Sequence, residues 1–301
     1  MIYKSRTESN ELIILRFLNK RMPFSVDNHK HFFNLEKGFN GEIQFDHMIK
    51  KLQSNSFILN DLQLESNKTR FQIDSLIIQQ ESIYLFEVKN YEGDFLFDSE
   101  AITTLSGKEY RNPQDQLKRS TALLRQLLQE YGSNLTIKSY VIFINPGFTL
   151  YQANDNLPFI FPTQLKRFLN KLEMQPSRLN IQHKQLAKKL ISSHITEAPY
   201  SQLPTYEFNH LKLGLTCNNC YSFSISVFDR QIVCNDCETN EAVELAVLRS
   251  VSEFKLLFPN QKITTSVIHK WCKIIQSKKR IQRILTKHLK RIGNGRYASY
   301  E

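Results

Sequence analysis

The chain has 301 residues, 41% of them hydrophobic, and a formal net charge of +11. That composition supports a sizeable core in two or more domains and excludes a disordered chain. No apolar run is long enough to cross a bilayer, and Met1-Ile-Tyr-Lys-Ser-Arg-Thr-Glu8 carries no signal-peptide pattern, so the expectation is a cytoplasmic protein without a membrane span.

Leu12, Ile13, Leu15, Phe17 and Leu18 have helical spacing, which predicts a helix over 8–20 inside an N-terminal helical extension, 1–35. Residues 21–37, around Pro23 and His29-Lys30-His31, read as irregular. A second helix is expected to begin near Gly38, with Glu42 in its first turn, where a negative charge suits the helix dipole. Ser56 to Leu64 reads as a strand. Two more strands follow, Arg70 to Gln79 and Ser82 to Asn90, both rich in apolar and β-branched residues.

Asp74, Glu87 and Lys89 interrupt those two strands. If the strands pair as a hairpin centred on Gln80-Glu81, opposed residues have numbers summing to about 161. Asp74 then faces Glu87, and Gln72 faces Lys89, all on one face beside Leu76, Ile78, Ile83 and Leu85. Ile73, Ile77, Phe86 and Val88 take the other face. Two acids and a lysine in buried strands cost free energy unless something pairs with them. A cross-strand salt bridge is the plain alternative for Glu-x-Lys. The flanking apolar residues argue for burial and for a divalent metal as the partner.

Gly93 marks a turn into a short strand, Asp94 to Asp98. Asn112-Pro113 opens a helix, with proline at its first position, running through Leu117, Leu124 and Leu128 to Gly132. Leu135 to Asn145 is a further strand. Residues 36–150 thus read as one α/β unit. Residues 151–213 form a more polar connector, with helices near 163–172 and 178–192 and a Pro-containing linker at 198–205.

Cys217-Asn-Asn-Cys220 and Cys234-Asn-Asp-Cys237 have the spacing of a small four-cysteine zinc ribbon over 214–240. The segment between the knuckles, Tyr221 to Val233, suits a short hairpin. Four thiolates on one structural Zn2+ leave no open position for chemistry, and disulfides are disfavoured in a cytoplasmic chain. Cys272 stands alone in an apolar helical pattern, as a core cysteine does. Helices are expected at 241–258, 264–275 and 278–290, with N-caps at Thr264 to Ser266. The last two, followed by Gly293-Asn-Gly-Arg-Tyr, suit a helix-turn-helix-like unit.

Residues 261–300 contain eleven Lys or Arg and no Asp or Glu, so almost the whole charge excess lies there. Lys270, Lys273, Lys278, Lys279, Arg280, Arg283, Lys287, Lys290, Arg291 and Arg296 are the candidate contacts to a polyanion, expected to be DNA. The segment 241–301 reads as basic, helical and nucleic-acid-binding.

Gly41-Glu42, Gln72-Ile73-Asp74, Glu87-Val88-Lys89-Asn90-Tyr91 with Gly93, and Asn112-Pro113-x-x-Gln116 together resemble the nuclease-related domain, NERD, over roughly 36–150. The resemblance implies a PD-(D/E)xK-like mixed α/β sheet flanked by helices. It implies Mg2+ or Mn2+ bound by Asp74 and Glu87, and Lys89 orienting or deprotonating water or stabilising the charged transition state. It implies a helical glutamate, Glu42, supporting the metal, and Gln116 near the metal or phosphate. Ile73 precedes Asp74 where the superfamily's name has proline. The expected function is a metal-dependent nuclease acting on DNA. The alternative is an inactive nucleic-acid-binding or regulatory protein on the same fold.

Overall fold

The computed structural model describes residues 1–98, 101–196, 202–295 and 298–301. In chain order the elements are β1 (Ile2–Lys4), α1 (Asn10–Arg21), α2 (Val26–Ile49), β2 (Phe57–Ser66), β3 (Thr69–Ile78), β4 (Ser82–Lys89), β5 (Gly93–Phe97), β6 (Ala101–Thr104), β7 (Glu109–Arg111), α3 (Pro113–Glu130), β8 (Thr136–Phe143), β9 (Phe148–Tyr151), β10 (Phe159–Ile160), α4 (Pro162–Glu173) and α5 (Ile181–Ser192). There follow β11 (Ile225–Phe228), β12 (Gln231–Cys234), β13 (Asn240–Ala242), α6 (Val243–Leu257), α7 (Thr265–Cys272), α8 (Lys278–His288), β14 (Arg291–Ile292) and β15 (Ser299–Tyr300). Four positions of the expected linker, 198–201, lie outside the described residues.

Two compact units result, Met1–Glu8 with Phe33–Tyr200, and Ser9–Phe32 with Ser201–Glu301. The first is built on a six-stranded mixed sheet in the order β1-β2-β3-β4-β8-β10. β2, β3 and β4 are antiparallel, whereas β4 and β8 are parallel and joined through α3. One face packs Phe45 and Ile49 of α2 and Leu165, Leu169 and Leu172 of α4 on Ile77, Phe86 and Val88. The other packs Leu117, Leu124 and Leu128 of α3 and Leu186 and Leu190 of α5 on Leu76, Ile78, Ile83 and Leu85. A smaller sheet, β7-β6-β5-β9, adds Phe95, Phe97 and Phe148 to this second core.

Three features differ from the sequence expectation. Residues 26–37 are helical, not irregular: α2 runs 24 residues, so Glu42 lies deep inside it. Its charge therefore cannot act on a helix N-terminus. The N-terminal residues form β1, paired parallel with β2 at Ile2↔Ile58. β6, β7 and β9 are short strands with no readable period; β6 and β7 pair with their sequence neighbours, and β9 pairs parallel with the distant β5.

The hairpin register is as expected where the ladder is formed: Ser75↔Phe86, Leu76↔Leu85, Ile77↔Tyr84 and Ile78↔Ile83. Gln79 N–H donates to Ser82 O at 2.9 Å, which closes a four-residue loop with the predicted centre. Beyond Ser75 the strands part. Asp61 in β2 has φ +54°, and the alternation of side chains breaks there. Leu59, Leu62 and Leu64 of β2 all enter one core, as do Ile73 and Leu76 of β3. Strict alternation would have sent Ile73 to the opposite core. The break lies beside Asp74.

The second unit holds the β11-β12-β13 sheet and α1, α6, α7 and α8 around its own core. Its centre is Trp271, fully buried, with the Arg21 guanidinium 4.0 Å from the ring centroid. Arg21 Nε and Nη2 donate to Glu253 at 2.6 and 2.8 Å. Cys272 is buried in the same core, and burial pushes its thiol up to about 12. This agrees with its reading as a core cysteine.

Candidate functional site

The acidic cluster is assembled by three elements of the first unit. β3 supplies Asp74, 5% exposed, and β4 supplies Glu87, 2% exposed, and Lys89. α2 supplies Glu42. Asp74 Oδ2 accepts the Val88 N–H at 2.8 Å. That bond takes the place of a backbone partner, which explains why the β3–β4 ladder ends one pair short of Asp74 and Glu87. Gln72 consequently does not join the cluster. It is exposed, and its nearest polar partner is Asp61 Oδ1 at 3.4 Å.

Lys89 Nζ donates to Glu87 Oε1 at 2.7 Å and to Gln116 Oε1 of α3 at 3.0 Å. The Glu-x-Lys pair is therefore formed, as the salt-bridge alternative expected, yet it engages one oxygen of Glu87. Glu87 Oε2 and Asp74 Oδ1 have no hydrogen-bond partner among the described residues.

Burial and mutual repulsion set the electrostatics. Glu87 is pushed up to about 8, by burial first and the Asp74 charge second, against the pull of Lys89. Burial also raises Asp74, opposed by Lys89 and by the Val88 N–H. Glu42 is pushed up to about 8 by burial and by Asp74, with Arg6 pulling it back. Burial works to lower Lys89, and the Glu87 and Asp74 carboxylates overcome it, so its ammonium is held above the ordinary range.

Arg6 is a site neighbour that the N-terminal sequence does not signal. Its guanidinium donates to Glu42 Oε2 at 2.6 Å, to both oxygens of Asp46 at 2.9 and 3.1 Å, and to the Asp74 carbonyl at 2.7 Å. It ties α2 to β3 directly behind the cluster. Nothing local in Lys4-Ser-Arg6 signals this, because the partners are 36 or more positions away.

Gly41 explains another part of the motif. A Cβ there would lie 2.6 Å from Asn90 Cβ. Asn90 in turn donates to Lys37 O at 2.7 Å and accepts from Asn145 Nδ2 at 3.1 Å. The end of β4, just past Lys89, is thereby fixed against α2.

Beside Gln116 opens a groove of about 590 Å³, lined among others by Arg70, Arg111 and Arg119. The donor chemistry fits Mg2+ or Mn2+. Carboxylate oxygens left open on two buried acidic residues suit a hard cation, which also relieves their repulsion.

The second cluster, in the other unit, is the tighter one. The sulfurs of Cys217, Cys220, Cys234 and Cys237 all lie within 4.8 Å of one another, and could hold a metal such as zinc. Cys217 and Cys237 sulfurs are 3.6 Å apart, Cys220 and Cys234 3.5 Å. The expected hairpin between the knuckles is β11 and β12, in register Ile225↔Cys234 to Phe228↔Gln231. Among the described residues, these four cysteines are the group of ligand atoms so closely gathered; the carboxylates are not.

The basic residues do not act as one set. Lys278, Lys279, Arg283, Lys290 and Arg291 are exposed, and Arg280 is half-buried. Lys270 bonds Asn209 Oδ1 at 3.2 Å and lies over the Phe208 ring. Lys287 pairs with Glu244 at 2.7 Å, and His288 shares that carboxylate. Lys273 takes φ +54° at the C-cap of α7. Arg296 lies outside the described residues.

Residues 37–144 match the family model of the nuclease-related domain, NERD, and residues 145–253 match that of a domain of unknown function, DUF6671. No curated protein and no solved structure matches the chain. The nuclease-related domain covers Glu42, Asp74, Glu87, Lys89 and Gln116. It suggests a nuclease-related function and interaction with nucleic acid. No helix among the described residues is long and apolar enough to cross a membrane.

Proposed function

We propose that this chain, whose residues 37–144 form a nuclease-related domain, is a metal-dependent nuclease that hydrolyses phosphodiester bonds in DNA. The carrying observation is that Asp74 and Glu87, both buried, each keep one carboxylate oxygen without a protein partner, beside the Lys89 ammonium. A bound Mg2+ or Mn2+ supplies Lewis acidity and an acidified water. Asp74 and Glu87 hold it, and Glu42 supports it from α2.

Lys89 keeps its proton, because two carboxylates favour the ammonium. It therefore serves to orient water and to stabilise charge developing on the phosphate, with Gln116 fixing its direction. Arg70, Arg111 and Arg119, along the adjoining groove, are placed to take phosphates of the bound strand. The four cysteines hold one structural Zn2+ in a ribbon over 214–240, and residues 241–301 bind nucleic acid.

The test is cleavage of plasmid DNA with Mg2+ or Mn2+. Cleavage is expected in wild type and a loss of about 100-fold or more in Asp74→Ala and Lys89→Ala. Tight DNA binding with no cleavage in any metal would overturn the enzymatic reading and leave a binding protein on this fold.

A further inference from the structure

The last sixty residues combine three packed helices with a short hairpin. α6, α7 and α8 pack on one another around Phe254, Ile268, Trp271, Ile281 and Leu285. β14 and β15 follow as an antiparallel hairpin, Arg291↔Tyr300 and Ile292↔Ser299. Ile263, just before α7, forms an antiparallel bridge with Tyr300 of the hairpin. The order is helix, short extended segment, helix, helix, hairpin, with the extended segment closing on the hairpin's second strand. That is the topology of a winged helix-turn-helix.

Topology alone does not assign function, so the face of α8 has to carry the argument. α8 buries Ile281, Ile284 and Leu285. Its opposite side exposes Lys278, Lys279, Gln282 and Arg283, spaced so that they share one face. None of the three cations has an ion-pair partner among the described residues, whereas Lys287, further along, is neutralised by Glu244. The first two turns of α8 thus present free positive charge together with Gln and Arg, the side chains that pair bidentately with adenine and guanine edges.

We propose that α8 enters the major groove of duplex DNA, with Lys278 and Lys279 on phosphates and Gln282 and Arg283 on base edges. The B-form major groove, about 12 Å wide, admits a helix, and the second helix of such a pair reads bases with its N-terminal residues. The deep, narrow groove of double-stranded RNA excludes this mode. A lipid surface is disfavoured because the apolar face of α8 is already buried. The proposal deepens the nucleic-acid reading above by naming double-stranded DNA, and it does not depend on catalysis.

The full-length, zinc-replete chain is titrated without Mg2+ against random-pool duplex DNA, double-stranded RNA and single-stranded DNA, and a preferred duplex is selected from the pool. Duplex DNA is expected to bind tightest. Lys278→Ala with Lys279→Ala should lower the slope of log affinity against log salt by about 2. Gln282→Ala with Arg283→Ala should weaken the selected duplex by roughly 5- to 100-fold and flatten the preference. Arg283→Lys keeps the charge and the helix, and should lose preference while keeping the salt slope. Equal binding of double-stranded RNA, or unchanged affinity and preference in the Gln282 and Arg283 variants, would overturn the proposal. Asp74→Ala run in parallel separates the two ideas. Inactivity with duplex binding intact concerns the nuclease centre alone; loss of nothing in the α8 variants concerns α8 alone.

Discussion

At the scale of single residues, the candidate centre is held together by charge that is expensive to bury. Glu87 has a folded pKa near 8 against an ordinary value of 4.5. Between those values the folded state binds more protons than the unfolded one. The Glu87 contribution to the stability of the Mg2+-free protein is therefore fully present below about 4.5 and is lost as pH rises through about 8. Thermal melts of Mg2+-free, zinc-replete protein from pH 5 to 8 should show that decline, and Glu87→Gln should reduce it, with Glu42 supplying the remainder. A wild-type curve that rises over this range would contradict the buried, proton-retaining carboxylate. Arg6 gives a second expectation at this scale. Its side chain is 2% exposed and satisfies Glu42 and Asp46 together. Arg6→Ala strands two carboxylates and should cost about 3–5 kcal/mol in urea unfolding, where a loss under about 1 kcal/mol would show a dispensable contact.

At the scale of elements, the centre depends on how α2 meets β4 and on where β3 leaves β4. Glycine in mid-helix normally costs about 1 kcal/mol relative to alanine, so Gly41→Ala should stabilise α2 taken alone. In the folded chain its Cβ would collide with the Cβ of Asn90, which is fixed to backbone rather than at the end of a flexible side chain. The clash should win, destabilising by about 1–3 kcal/mol and lowering cleavage, since Asn90 adjoins Lys89. An unchanged melting midpoint with full activity would count against close approach as the reason for glycine. The parting of the strands is likewise an element property. The Val88 N–H captured by Asp74 ends the β3–β4 ladder, and Asp61 with positive φ interrupts the neighbouring β2–β3 pairing; backbone irregularity of this kind gathers at functional sites.

At the scale of the whole molecule, each unit has a core of its own. Zinc should be present at about one ion per chain. Removing it with a strong chelator should release the knuckles and the β11–β12 hairpin between them, while the first unit keeps its helical and sheet signal. Carefully purified protein without zinc would contradict the four-cysteine site, and simultaneous loss of both units would contradict the independence of their cores. Circular dichroism with metal analysis reads both outcomes.

How much was legible beforehand follows from the range of each interaction. The cysteine knuckles, the β3–β4 register, the capped helix at Asn112-Pro113 and the apolar faces of α6 to α8 are local patterns. Their period or spacing is written in consecutive residues, so the sequence alone determined them, along with the placing of Asp74, Glu87 and Lys89 in two neighbouring apolar strands. Long-range partners decided the rest. Arg6 joins Glu42 across 36 positions, and residues 26–37 are helical although their pattern reads as irregular. The small sheet is two short local hairpin pairings completed by the distant β9, and Ile73 changes face because the side-chain alternation breaks at Asp61 and Asp74 while the β2–β3 register is kept. A local period carries the identity of an element. Which buried charges meet, and which face a residue takes after a break in the ladder, are decided only when distant segments compete for the same space.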